Sequence, residues 1–365
     1  MHINDLLKTM IERKASDLHI KVGRPPLIRV DGKIAQLELP VLTEADIEEI
    51  LFVMMNQRQR LKFSEGNELD LSYSPTGTAR YRVNAFRQRG TIEMIIRMIP
   101  KDIPNIDTLL LPEVLKKITL EARGLILLTG ATGSGKSTTI ASMVKYINEN
   151  NPYHIITVED PIEFIHTDAK SSVTQRELSI DTDSYAIALK YVLRQDPDVI
   201  FIGEMRDTDT VAAAVSAGET GHLVLSTLHT IDASQTIDRL IDFYPSSQQH
   251  QVRNQFANII NAIISMRLIE KADGMGRVPA VEVMIGTPTI KSLIRENKLS
   301  SIRSMIQQGA AQYGMQTFDQ SLAELYKKGL ITLEMALAEA TSKNDLKLSL
   351  SGIISSVDSA RERMR

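Results

Sequence analysis

The segment Gly130-Ala131-Thr132-Gly133-Ser134-Gly135-Lys136-Ser137 leaves few architectures open to this chain. It follows the apolar run Leu125-Ile126-Leu127-Leu128 and precedes a helix-forming stretch over Ser137–Asn148. The spacing G-x-x-x-x-G-K-[ST] arises by chance in roughly one chain in a hundred at this length and composition. A buried strand that ends in a glycine-rich loop and resumes as a helix predicts an open α/β sheet. Glycines let successive backbone N–H groups point inward at phosphate oxygens without Cβ clashes. The amides of Thr132, Gly133, Ser134, Gly135 and Thr138 are expected to join this cradle. Lys136 brings a positive charge to the β- and γ-phosphates, the Ser137 hydroxyl is a Mg²⁺ ligand, and the helix aims its positive end at the same anion. The expected ligand is a purine nucleoside triphosphate with Mg²⁺.

Three further apolar runs, Ile155-Ile156-Thr157-Val158, Val199-Ile200-Phe201-Ile202 and Leu223-Val224-Leu225-Ser226-Thr227, are separated by helical patterns. They predict buried strands of a doubly wound sheet. Ligands in such sheets sit at the carboxyl ends of strands. Acids follow two of these ends, in Glu159-Asp160-Pro161-Ile162-Glu163 and Gly203-Glu204-Met205-Arg206-Asp207. Glu163 is expected to orient the attacking water and Glu204 to organise the metal. Gly203 stands where the commoner motif has Asp. Two histidines flank the fourth strand: His229 at its carboxyl end is the expected γ-phosphate sensor, and His222 is the alternative.

The first ~100 residues predict a small α+β unit, with a helix over Asp5–Lys14 and short strands at 17–20, 27–30 and 69–73. Hairpins are expected at Asp31-Gly32 and at Arg89-Gly90, the latter joining Arg80–Phe86 to Thr91–Met98. A helix is expected over Thr43–Gln57, with Thr43 as N-cap. The second hairpin concentrates Arg80, Arg82, Arg87, Arg89 and Arg97, opposed locally only by Glu93. Period-two alternation places Arg80, Arg82 and Asn84 on one face. Such a stripe is a solvated face, a nucleic-acid surface, or a source of an arginine for the γ-phosphate. No aromatic side chain interleaves the arginines on their own face, which argues against nucleic acid, and Arg82 is the expected nucleotide contact.

Pro100, Pro104 and Pro112 mark a linker, so the expected divisions are 1–100, a linker over 101–112, a core over 113–288, and a helical region over 289–365. In the last of these, Ile290, Leu293 and Ile294 form an apolar stripe, with Lys291, Ser292 and Arg295 off it as surface residues. The tail Ser351–Arg365 is small, polar and basic.

The 42 Lys+Arg against 45 Asp+Glu give a net charge of −3, which argues against a dedicated nucleic-acid binder. Absence of Cys removes disulfides, thiol catalysis and Cys-ligated zinc. No apolar run approaches the roughly 18–20 residues that span a bilayer, and Met1–Asp5 lacks a signal-peptide pattern. The expectation is an intracellular chain with no membrane insertion.

These residues together resemble the secretion-type ATPases of type IV pilus and type II secretion systems. The likeness rests on Ala15-Ser16-Asp17-Leu18-His19-Ile20 with Gly23-Arg24-Pro25-Pro26, the loop as Walker A, an Asp box at 158–163, an atypical Walker B at 202–207 and a His box at 218–229. Absence of Cys, against the four-Cys zinc site typical of assembly and secretion ATPases, favours the retraction branch. So does Thr289-Ile290-Lys291-Ser292-Leu293-Ile294-Arg295-Glu296, which is similar to that branch's AIRNLIRE motif. The resemblance implies a PAS-like α+β N-terminal domain and a RecA-like P-loop ATPase domain with a helical C-terminal part. It also implies a homohexamer with ATP at subunit boundaries, docking on the inner-membrane pilus platform protein from the cytoplasmic side, and work as a pilus-retraction motor. A second retraction ATPase stays open as an additional partner. A pilus-assembly or secretion ATPase, and a nucleotide-gated adaptor without turnover, stay open as alternatives.

Overall fold

A computed structural model describes residues 2–75 and 79–350. Two compact units emerge: residues 1–102 with Glu163–Ile165, and residues 103–162 with 166–365.

The first unit contains α1 (Ile3–Glu12), β1 (Asp17–Lys21), β2 (Leu27–Val30), β3 (Lys33–Gln36), α2 (Glu44–Met54), α3 (Gln57–Glu65), β4 (Glu68–Tyr73), β5 (Arg80–Gln88) and β6 (Thr91–Ile99). The strands form an antiparallel sheet in the order β3-β2-β1-β6-β5-β4. Alternation sends Tyr81, Val83 and Ala85 into a core with Leu18, Met94 and Ile96, which α1 and α2 complete through Leu6, Leu7, Ile47 and Ile50. Both tight turns carry two left-handed residues, Asp31 and Gly32 (φ 47° and 78°) and Arg89 and Gly90 (φ 53° and 84°), as short hairpins require. The helix expected over Thr43–Gln57 is two helices. Thr43 and Asp46 form the expected capping box, but Met55 is extended, and Asn56 and Gln59 form a second box that starts α3. The Asn56-x-x-Gln59 spacing is a start signal legible in the sequence.

The second unit contains α4 (Val114–Thr119), β7 (Gly124–Thr129), α5 (Lys136–Asn150), β8 (His154–Glu159), β9 (Ser172–Glu177), α6 (Tyr185–Val192), β10 (Val199–Ile202), α7 (Thr208–Glu219), β11 (Leu223–Leu228), α8 (Ala233–Asp242), α9 (Ser246–Ile259), β12 (Ile260–Glu270) and β13 (Arg277–Ile285). Then come α10 (Pro288–Arg295), α11 (Ile302–Gln308), α12 (Ala310–Tyr313), α13 (Phe318–Lys327), α14 (Leu333–Glu339) and α15 (Lys343–Leu350). Its sheet order is β13-β12-β7-β11-β10-β8-β9. All neighbours are parallel except the β12–β13 edge pair. The central strands are buried end to end because helices pack on both faces: α4 and α5 with Ile126 and Leu128 on one, α6 to α11 with Leu125 and Leu127 on the other. Three strands of this unit, β9, β12 and β13, lie outside the runs that predict strands. Ser172–Glu177 is polar because it forms an edge, and the long apolar run from Ile259 continues helix α9 directly into β12.

In α10, Ile290 and Ile294 are fully buried. Lys291 and Arg295 are not free surface charges. Lys291 Nζ donates to Asn258 O at 2.9 Å and Arg295 Nη2 to Asn258 Oδ1 at 2.7 Å, so both are docked on α9. The tail 351–365 lies outside the described residues. No helix among the described residues is long and apolar enough to cross a membrane.

Candidate active site

Parallel pairing brings several strand ends to one edge of the second unit's sheet. Thr129 stands opposite Leu228, and Ile202 stands between Ser226 and Val158. The residues that follow, Gly130, Glu159, Gly203-Glu204 and His229, therefore emerge along the same edge.

The loop after β7 is closed by its own backbone. Gly130 has φ 143°, and a Cβ there would lie 2.5 Å from Met266 O and 2.6 Å from Ser134 Oγ, so only glycine fits. Lys136 is 8% exposed, and its Nζ donates to Gly130 O (2.6 Å) and Ala131 O (3.0 Å). The ammonium is held over the cradle by these carbonyls. Ser134 Oγ is buried with no hydrogen-bond partner among the described residues. Gly135 caps α5 in the left-handed conformation, and Ser137 follows Lys136 in the helix's first turn with its side chain exposed. Thr132 and Gly133 line a cavity of ≈ 350 Å³ with Ile231, Met266 and Leu268. Thr138 lines a second, of ≈ 250 Å³, with Leu109, Leu111 and Arg277.

Glu204 is fixed from both sides. Arg206 Nε donates to its Oε2 at 2.8 Å, and His229 Nε2 lies 3.3 Å from its Oε1. The strand-end turn is tied down by Gly203 N donating to Val158 O (2.8 Å) and Thr227 Oγ1 to Gly203 O (2.7 Å). Gly203 has a steric reason to replace the commoner Asp: the Tyr185 hydroxyl lies 2.6 Å from where its Cβ would be. Tyr185 has its pKa pushed well above the ordinary phenol value, by burial first and then by the carboxylates of Asp160, Glu159 and Glu204, against Arg206. Sequence reading missed this tyrosine, because nothing in its own segment announces it.

Not every expected residue joins this edge. His222 sits at the opposite end of β11: its Nδ1 meets Ala217 O at 3.0 Å, and its carbonyl accepts Gly124 N at the start of β7. The length of β7 puts that position roughly 20 Å from the loop. Within one subunit His222 therefore does not share the site with Lys136, because a strand has two ends and only the carboxyl one meets the loop. Glu163 lies beyond the turn at Pro161 and belongs to the stretch that groups with the first unit. The acid at the end of β8 is Glu159, 8% exposed, which accepts from Thr157 Oγ1 (2.6 Å) and Gln175 Nε2 (3.2 Å). In the first unit, Arg82 Nε is 3.8 Å from Asp70 Oδ1, and Arg97 donates to Asp17 at 2.8 Å. The arginine hairpin thus meets acids from other strands, Asp70 of β4 and Asp17 of β1.

The family model "Type II/IV secretion system protein" matches residues 1–365. The chain is 46% identical over 340 residues to the type IV pilus retraction ATPase PilT of Pseudomonas aeruginosa, covering 93% of this chain and 98% of that protein. It is 44% identical over 348 residues to the type IV pilus ATPase PilU of the same organism, covering 95% and 91%. Among solved structures, the pilus retraction motor PilT with bound ADP matches with a TM-score of 0.88 and 46% identity, over 95% of this chain and 99% of that one.

Proposed function

Because this chain belongs to the type II/IV secretion system protein family, we propose that it is an ATPase whose hydrolysis drives disassembly and retraction of a type IV pilus. The observation that carries the reading is the preset phosphate loop. Lys136 is already buried and oriented, and the partnerless Ser134 hydroxyl leaves a hydrogen-bonding demand that a phosphate oxygen answers. The retraction output rests on likeness along nearly the whole length of a retraction ATPase and its ADP-bound structure.

Residue roles follow from chemistry. The loop amides from Thr132 to Thr138 and Lys136 bind the phosphates, and Lys136 exchanges its carbonyl partners for phosphate oxygens. Ser137 Oγ and the Glu204 carboxylate are hard oxygen donors of the class Mg²⁺ takes, and these residues would hold it; bound there, it would supply charge neutralisation for the phosphates. His229 shares Glu204 and so feels whether the γ-phosphate is present. Glu163 orients the attacking water, and Arg82 contacts the nucleotide. The working assembly is a homohexamer with ATP at subunit boundaries. It docks on the pilus platform protein at the cytoplasmic face of the inner membrane, and a second retraction ATPase can join it. Steady-state phosphate release by the purified protein tests the enzyme. A deletion strain with excess surface pili and no twitching supports retraction, whereas a strain without pili makes the protein an assembly ATPase.

A further inference from the structure

Glu282 is one of several buried acids that no role above uses. Glu282, in β13, is 6% exposed, and its Oε1 accepts the N–H of Ala233 at 3.0 Å. Ala233 is the first residue of α8, so the carboxylate takes one of the amides a helix start leaves unpaired. Asp232 Oδ1 takes another, from Gln235, and Thr230 and Thr236 join their hydroxyls at 2.7 Å. The segment closed by these bonds is the loop from β11 to α8, which carries His229 beside Glu204 and Ile231 on the wall of the larger cavity.

Glu282 also ends a polar row across a largely apolar sheet face. It pairs in register with Ser265, and Ser265 pairs with Thr129, whose hydroxyl donates to Ser265 Oγ at 2.8 Å. Thr129 is the last residue before Gly130. One row therefore runs from the start of the phosphate loop to the anchor of the His229 loop. An unpaired carboxylate is costly to bury, and a plain core position here would carry an apolar side chain.

We propose that Glu282 is a positioning residue of the ATPase: through Ala233 it fixes the β11–α8 loop and holds His229 against Glu204. Charged groups around it are Asp232 at the N-cap of α8, Arg267 on β12 and Arg303 on α11, and Arg303 is itself bonded to Asp319 at 2.6 Å. Glutamine keeps the accepting oxygen, whereas alanine removes it.

The inference rests on the ATPase reading, and wild-type phosphate release tests that reading separately. In the full-length hexamer, Glu282→Ala is expected to lower kcat at least tenfold with KM for ATP changed less than threefold, and Glu282→Gln is expected to restore most of the rate. Glu282→Ala added to His229→Ala should slow turnover less than twofold further, since both act through one loop. Melting curves keep the folded fraction known. The proposal is overturned if Glu282→Ala turns over normally per folded hexamer, if Glu282→Gln is as slow as Ala, or if the two losses multiply.

Discussion

Positive charge gathers in two places in this protein, and each holds it differently. In the loop between β7 and α5, Lys136 is constrained by carbonyls five and six residues away and by its own helix. In the β5–β6 hairpin, alternation sets which arginines share a face, but their partners come from distant segments: Arg97 bonds Asp17, 80 residues off. The cradle is a local device and keeps its function wherever the strand–loop–helix folds. The arginine face takes its properties from whatever the tertiary fold sets beside it.

The largest expected effect falls on the local device. Lys136→Ala should weaken nucleotide binding by about a hundredfold or more, measured with a fluorescent ATP analogue. Glu163→Gln should bind within a few-fold of wild type yet lose about a hundredfold in turnover, because an amide keeps the size but is a far weaker base. Near-normal turnover of Glu163→Gln would pass the water-orienting role to Glu159 or Glu204. Next, Arg82→Ala should slow turnover at least tenfold with the hexamer intact, since an arginine on the γ-phosphate contributes about 10³–10⁵ in related enzymes. Unchanged turnover would return the stripe to a solvated face and sharpen the contrast with the loop.

Smaller effects, on stability, separate the two units by the sign of their pH dependence. Burial raises the Asp17 pKa, but hydrogen bonds from Ser16 and Arg97 outweigh it, and the folded value lies below the ordinary 3.8. Its stabilisation is full above that ordinary value and is lost as pH falls through the folded one. Glu282 has the opposite sign: burial pushes it up from 4.5 to about 7, so its contribution is best below 4.5 and declines as pH rises toward 7. Thermal melts from pH 3 to 8 should show Asp17→Asn costing stability at neutral pH and little in acid. Glu282→Gln should melt higher than wild type at pH 8 and the same in acid.

The smallest expected change is in α10. Lys291→Ala with Arg295→Ala should cost about 1–2 kcal/mol, since each loses one hydrogen bond to Asn258. If α10, which is similar to the retraction branch's motif, transmits motion to the pilus machinery, the ATPase rate should stay within twofold while twitching fails. An equal loss of both activities would assign this helix to the catalytic core.

Sequence alone determined what depends on neighbours along the chain. Thr43 with Asp46 starts a helix, Asp31-Gly32 and Arg89-Gly90 turn hairpins, and Gly130 to Ser137 builds a phosphate cradle, because backbone conformation and short-range hydrogen bonds decide each one. It also marks β7, β8, β10 and β11 as buried, since strands covered on both faces are apolar over most of their length. The largely buried β12 and β13 carry Ser265 and Glu282 and are not legible in this way. Tertiary structure decided the rest. Which end of β11 meets the loop separates His229 from His222, and that follows from parallel pairing rather than from either histidine. The crowding at Gly203 comes from a tyrosine eighteen residues earlier. Asn258 captures two cations that helical periodicity places at the surface, and Glu282 finds its partner 49 residues away at the start of α8. Contacts of that kind are made by strands and helices brought together across the fold, so no local spacing encodes them.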